Sequence, residues 1–211
     1  MPHSPAIDTT QPHSARVWNY WLDGKDHYPV DRELGDQILD LHPKIAVDAR
    51  AGRAFLMHTV ALLAREEEGA TAFVDHDLRE TGRVLERSAE VLDLDRPVAL
   101  SAIGTLGHTP TLSEAVDLVR AYTDALPSGS FLVLADAVLP DRGSAAEALD
   151  EWNREAAPTC RGRTPEGFAS YFEGLELLAP GVGPPPLWRP AAVDVGRAPD
   201  TDMYGAVARK P

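Results

Sequence analysis

Residues 97–136 read "PVALSAIGTLGHTPTLSEAVDLVRAYTDALPSGSFLVLAD", and the order of chemistries in this stretch decides the fold class. Pro97–Ile103 is a short, nearly continuous apolar run, the pattern of a strand covered on both faces of a parallel sheet. After the turn "GTLGHTP", Thr111 and Glu114 stand three apart as a capping box, each side chain able to bond the other's backbone amide. Leu112, Val116 and Val119 then recur with helical period. Pro127-Ser128-Gly129 breaks the helix, and "SFLVLAD" is a second apolar run closed by Asp136. Strand, helix and strand in this order predict a parallel pair with a right-handed crossover.

The same alternation extends outward. Upstream, Leu34, Ile38 and Leu41 predict a helix from Asp31 that Pro43 stops. A longer helix is expected over 45–67, with Leu56, Val60 and Leu63 on one face, Phe55 and Leu62 beside it, and Gly69 at its end. "TAFVDHDL" (71–78) reads as a buried strand, and Arg79–Leu92 as a helix with Leu85, Ala89 and Leu92 in phase. Downstream, Ser144 and Glu147 predict a second capping box and a helix through Trp152. Thr164-Pro165 opens a short helix that Gly174 ends, and "LELLAP" follows as a strand. "GVGPPPLWRP" is a stiff connection, and "DMYGAVARK" a closing antiparallel strand.

Together these predict an α/β fold with a Rossmann-like, mostly parallel sheet. Ligands of such sheets bind at the carboxyl ends of the strands, which places "DHDL", "GTLGH" and the end of "LVLAD" on one rim. The aromatic stretch "ARVWNYWLDGKDHYPVDRE" (15–33) is placed to fold over that rim as a helical lid. Residues 1–14 read as a flexible arm, 15–211 as a single domain, and 15–67 as its lid region.

Composition narrows the function. Acidic residues outnumber basic ones by 33 to 20, for a formal charge of −13. Such a surface repels phosphate backbones, so nucleic acid is not an expected partner. No apolar run approaches a membrane span, and "MPHSPAIDTTQPHS" lacks the basic and apolar regions of a secretory signal, which points to the cytoplasm. The single Cys160 reads as a bystander loop thiol. The seven His are scattered singly, without an i, i+4 pair, so the expected metal ligands are none.

Three pieces carry a resemblance: residues 15–33, "GRAFL" (52–56), and the downstream series "DRPVAL…LPSGSFLVLAD…FEGLELLAPGV…WRP…YGAVARK". They resemble a class I S-adenosylmethionine-dependent methyltransferase family first catalogued as a domain of unknown function. The resemblance implies a cofactor site on the strand rim and methyl transfer to an acceptor that the sequence does not name. Members follow the long helix with a strand, an Asp-x-Gly-x-Gly loop, a helix, a second strand ending in an acid, and another helix. Here "LLAREEEGA" runs straight into "TAFVDHDL", so the sheet is expected to be trimmed by two βα units. The glycine loop normally brings backbone N–H groups to the cofactor, and the acid holds ribose hydroxyls.

By the same resemblance, Arg16, Tyr20, Gly24, Lys25 and Asp26 match the lid motif and are candidate cofactor contacts. Lys25 is placed either to meet a carboxylate of cofactor or substrate, or to form a surface pair with Asp23 or Asp26. Asp77, or alternatively Asp75, would accept from adenine's exocyclic amine, with the Leu78 backbone N–H at the ring; otherwise the acids cap the next helix. His108 lies one place after the family's usual His and is a candidate general base. The family usually has Gly where Asp23 stands, and Asn where His27 and Gly52 stand.

Three readings follow: a methyltransferase with weakened hold on S-adenosylmethionine, a catalytically silent binding or interaction protein, or a poorly stable remnant. Oligomeric state is not legible. With two units gone, Thr71–Val74 is expected to pair in parallel directly with Val98–Ile103.

Overall fold

The computed structural model describes residues 7–64, 71–139, 143–190 and 195–211. Three helices come first, α1 (Ser14–Trp21), α2 (Pro29–Leu41) and α3 (Ile45–Leu63), followed by α4 (Thr81–Ser88). Then come β1 (Ala99–Ile103), α5 (Leu112–Asp124), β2 (Phe131–Ala137), α6 (Ser144–Glu155), α7 (Pro165–Ala169), β3 (Glu176–Leu177) and β4 (Met203–Arg209).

The strand–helix–strand stretch folds as its pattern predicts. β1 and β2 pair in parallel from Ala99↔Phe131 to Ile103↔Ala135. The Thr111 amide donates to Glu114 Oε2 at 3.0 Å and the Glu114 amide to Thr111 Oγ1 at 3.2 Å, the expected capping box. β4 runs antiparallel to β2, and β3 antiparallel to β4, giving the order β1-β2-β4-β3. Three strands thus share one direction, the Rossmann-like arrangement in trimmed form.

Alternation along the central strands builds the core on both faces. Leu132, Leu134, Ala206 and Ala208 meet α5, Phe168, Tyr171 and Phe172 on one face. Val133, Ala135, Met203 and Val207 meet Phe55 of α3 and Trp188 on the other. The lid has a core of its own, in which Val17, Trp21, Leu34 and Ile38 pack against Ala148, Trp152 and Ala156 of α6. Burying each of Leu34 and Ile38 contributes about 1.5–3 kcal/mol, which holds α2 to α6. Among the described residues no helix is long and apolar enough to cross a membrane.

The region beside the trimmed units departs from expectation. Thr71–Val74 forms no strand and does not pair with β1, and Phe73 is 95% exposed. A parallel strand is stable when both its faces are covered. The helix meant to cover this one shortens to Thr81–Ser88 and buries no residue, so the segment's backbone stays solvated. The face of α3 also differs. Asp48, Gly52, Phe55 and Thr59 point inward, whereas Val60 and Leu62 are exposed, because the sheet lies on the other side of the helix. Residues 65–67 of the expected helix, and Gly69, lie outside the described residues.

Two local expectations are also corrected. Ser144 does not cap α6. Gly143 occupies the cap at φ 94°, and the Ser144 hydroxyl is engaged instead with His42 Nδ1 at 3.1 Å. The "LELLAP" strand shrinks to the two paired residues of β3, with one further ladder bond from the Leu178 amide to the Val207 carbonyl at 2.9 Å. Among the described residues it borders only β4, so half of its backbone groups have no neighbouring strand there. Thr164, in contrast, caps α7 as expected, accepting from the Gly167 amide at 3.1 Å. Of the expected arm, residues 1–6 lie outside the described residues. His13 donates its amide to Asp31, and Ser14 already belongs to α1.

Candidate functional site at the strand rim

β1 and β2 both end at the same edge of the sheet, and β4 starts there. A cavity of about 80 Å3 lies over this edge. Gly104, His108, Asp136, Ala137 and Met203 line it from the sheet side. Trp18 and Trp21 of α1, Ile38, His42, Ile45 and Asp48 close it from the lid, and Ala145, Ala148, Leu149 and Trp152 from α6. The walls are largely apolar, and the Trp21 and Trp152 rings stand 5.9 Å apart. This volume admits a few waters and falls well below the roughly 300–1,000 Å3 of a typical small-molecule pocket. A larger ligand is enclosed there only in part.

Polar groups punctuate these walls. Asp136, the last acid of "LVLAD", accepts from the Gly107 amide at 2.9 Å and from its neighbour Ala137. Burial pushes its carboxyl above the usual range, and the two N–H donors only partly offset this. Gly107 is required there, since an added Cβ would stand 2.8 Å from Cys160 Sγ and 3.3 Å from the Arg161 carbonyl. His108 Nδ1 lies 2.9 Å from the Thr159 carbonyl oxygen, which can only accept, so Nδ1 carries a proton there, and in the neutral ring Nε2 is the acceptor. Cys160 lines the cavity and is not remote from the site. Its thiol is pushed up to about 12, first by burial and then by the charge of Asp136, so it stays protonated and unreactive.

At the lid side, His42 follows α2, Asp48 lies in the first turn of α3, and Asp202 directly precedes β4. Asp48 Oδ1 accepts from the Asp202 amide at 2.9 Å. Lys44 Nζ bonds Asp202 Oδ1 at 3.0 Å and Asp200 at 2.9 Å. Burial pushes the Asp48 carboxyl up to about 6. The sequence reading found no grouped metal-ligand types; the fold gathers three from positions 42, 48 and 202.

The motif residues of the lid lie elsewhere. Arg16 Nε donates to Asp31 Oδ2 at 2.7 Å, and its guanidinium sits 5.2 Å from the Tyr28 ring centroid. The Tyr20 hydroxyl donates to Asp36 at 2.5 Å, with its ring against Gly35. Gly24 allows close approach of Asn19, whose Oδ1 accepts from the Asp26 amide at 2.9 Å. Lys25 is exposed and pairs with neither Asp23 nor Asp26 among the described residues. None of Arg16, Tyr20, Gly24, Lys25 or Asp26 lines the cavity. With a helical turn of 3.6 residues, Trp18 and Trp21 share the face toward it, and Arg16 and Tyr20 flank that face. Those two tryptophans were visible as aromatics in the sequence, but only the helix phase singles them out.

The expected adenine contacts also fall outside the cavity wall. Asp77 bonds Arg79, which holds its carboxyl at about 2. Asp75 is exposed, and the Leu78 carbonyl accepts from the Tyr122 hydroxyl on α5 at 2.7 Å. Of the sequence candidates, His108 alone lines the cavity, joined there by Asp136, Asp48 and His42. Asp136 carried a signal, an acid closing an apolar strand. His42 and Asp48 carried none.

Comparison with known proteins agrees with this architecture. A family model described as S-adenosyl methyltransferase matches residues 1–67 and 56–211. The two pieces overlap at 56–67, a few residues before "TAFVDHDL" (71–78). A DUF574 family protein from Streptomyces avermitilis superposes with a TM-score of 0.90 at 30% identity, over 98% of this chain and 100% of its own. A protein from Thermobifida fusca, classed provisionally as a methyltransferase, has the same fold, with a TM-score of 0.81 at 24% identity over 98% and 97% of the two chains. A comparison with curated proteins finds no match. With the family model spanning its length and the rim architecture in place, this chain belongs to the S-adenosyl methyltransferase family.

Proposed function

We propose that the chain is a small-molecule-binding member of this family, taking its ligand in the rim cavity and holding S-adenosylmethionine weakly. The supporting observation is the state of the donor half of the site. The sequence holds no Asp-x-Gly-x-Gly loop, and residues 71–78 lie away from the cavity with Asp77 committed to Arg79. The described residues therefore do not fit a complete cradle for the cofactor, and no chemical step is assigned through it. Trp18, Trp21, Trp152 and Met203 give the cavity an apolar lining, with Asp136 and His108 as its polar contacts on the sheet side.

One observation favours a second reading, an active methyltransferase acting on an acceptor not yet known. The Nδ1–H of His108 is held by the Thr159 carbonyl, which in the neutral ring leaves Nε2 as a proton acceptor on a residue that lines the cavity at the strand ends.

Titration calorimetry of the purified chain with S-adenosylmethionine tests the proposal. A dissociation constant on the order of 100 μM or poorer is expected, as the main donor-binding loop is missing. Low-micromolar binding would overturn it. Lys25→Ala, at an exposed residue outside the cavity, should leave this affinity unchanged; a loss of about tenfold would mean that the lid motif touches the cofactor. Turnover to S-adenosylhomocysteine with any acceptor from an amine, phenol and carboxylate panel, lost in His108→Gln, would establish the second reading.

A further inference from the structure

The His42, Asp48 and Asp202 side chains are each half-committed. His42 is 4% exposed, with Nδ1 engaged by the Ser144 hydroxyl. Its Nε2 has no hydrogen-bond partner, although Asp202 Oδ2 lies only 3.0 Å away. Asp202 gives Oδ1 to Lys44 and keeps Oδ2. Asp48 gives Oδ1 to the Asp202 amide. One ligand atom from each of the three residues lies within 4.8 Å of the other two. A buried imidazole nitrogen left without a hydrogen bond is costly, and a cation beside this nitrogen and the Asp202 oxygen, bonded to both, would satisfy it.

We propose that His42, Asp48 and Asp202 hold a divalent transition-metal cation on the wall of the rim cavity. The His42–Asp202 spacing suits it. Two neighbouring ligands, each about 2.1 Å from an octahedral cation, stand about 3.0 Å apart, matching the Nε2–Oδ2 separation. One imidazole with two carboxylates favours Zn2+ or Mn2+ over Mg2+, which takes oxygen ligands and retains its waters. Lys44 balances part of the negative charge of Asp202, so the site as a whole suits a divalent rather than a trivalent ion. His42 and Asp48 line the cavity, so the remaining coordination positions open into it, where a ligand's oxygen or nitrogen can complete the shell. The site joins the α2–α3 corner of the lid to the start of β4, and it does not depend on how S-adenosylmethionine binds.

The test uses the full chain freed of metal by chelation, without any organic ligand. Calorimetry with ZnCl2 and MnCl2 should show one ion per chain at micromolar affinity, with MgCl2 at least tenfold weaker. His42→Gln and Asp48→Asn should each weaken Zn2+ at least tenfold while circular dichroism reports an unchanged fold. Should either variant fail to fold, the wild type still decides the matter. Trace Mn2+ added to the 15N-labelled chain should broaden the amides of His42, Asp48 and Asp202 before any others. Absence of one-to-one binding, unchanged affinity in both variants, or broadening centred elsewhere on the acidic surface would each overturn the proposal.

Discussion

Asp31→Asn measures what fastens the lid. The Asp31 side chain is 0% exposed and accepts from the His13 amide at 3.0 Å, the Tyr28 amide at 2.8 Å and Arg16 Nε at 2.7 Å. All three partners are donors. An asparagine amide must turn its own NH2 toward at least one of them, losing that bond, and it removes the charge facing Arg16. A hydrogen bond to a charged group is worth about 1.5–3 kcal/mol, and breaking a buried pair costs about 3–5 kcal/mol. The Arg16 side chain is partly exposed and recovers some hydration, so about 3 kcal/mol is the expected loss. For a chain of this size that lowers the melting temperature by about 6–12 °C.

The pH dependence has a definite sign. Burial raises the Asp31 carboxyl, but the bonds from Arg16, Tyr28 and His13 outweigh it, and the net shift is downward. A depressed carboxyl contributes stability that is fully present above its unfolded value, about 3.9, and is lost as pH falls through the folded value. Melts followed by circular dichroism should therefore show a large gap between wild type and variant at pH 7 that closes below about pH 4. A variant melting within about 1 °C of wild type at pH 7, or a gap that persists undiminished in acid, would refute the reasoning.

Other outcomes follow from single contacts. Asp23 has φ 59°, in the left-handed region that a β-carbon disfavours. Asp23→Gly should stabilise by about 0.5–1 kcal/mol, read as a higher urea midpoint; a lower midpoint would contradict the strain. Gly107→Ala forces a β-carbon against Cys160 and the Arg161 backbone, and should destabilise by about 1–3 kcal/mol in the same assay. Among the described residues β1 pairs on one side only, so alternate amides of 99–103 should exchange with solvent far faster than those of 132–135. Uniform protection would mean that another strand covers this edge. The formal charge of −13 should make the melting temperature rise between low and physiological salt, and a flat response would count against dominant self-repulsion.

What neighbouring residues decide among themselves is already written in the chain. β1, α5 and β2 lie where apolar runs, the Thr111–Glu114 box and the Pro127–Gly129 break put them. Thr164 caps α7, and the trimming of the sheet follows from a loop that is simply not encoded. These are short-range matters, fixed by period, capping and turn chemistry. Tertiary structure decided everything that depended on a distant partner. Thr71–Val74 has strand composition but no covered place beside β1, and it remains unpaired. Ser144 is a cap by pattern, and the buried His42 engages it first. Arg16 and Tyr20 turn to Asp31 and Asp36, so the lid offers the cavity its tryptophans instead. The His42–Asp48–Asp202 cluster joins residues more than 150 positions apart, a juxtaposition created only when the α2–α3 corner packs against the start of β4.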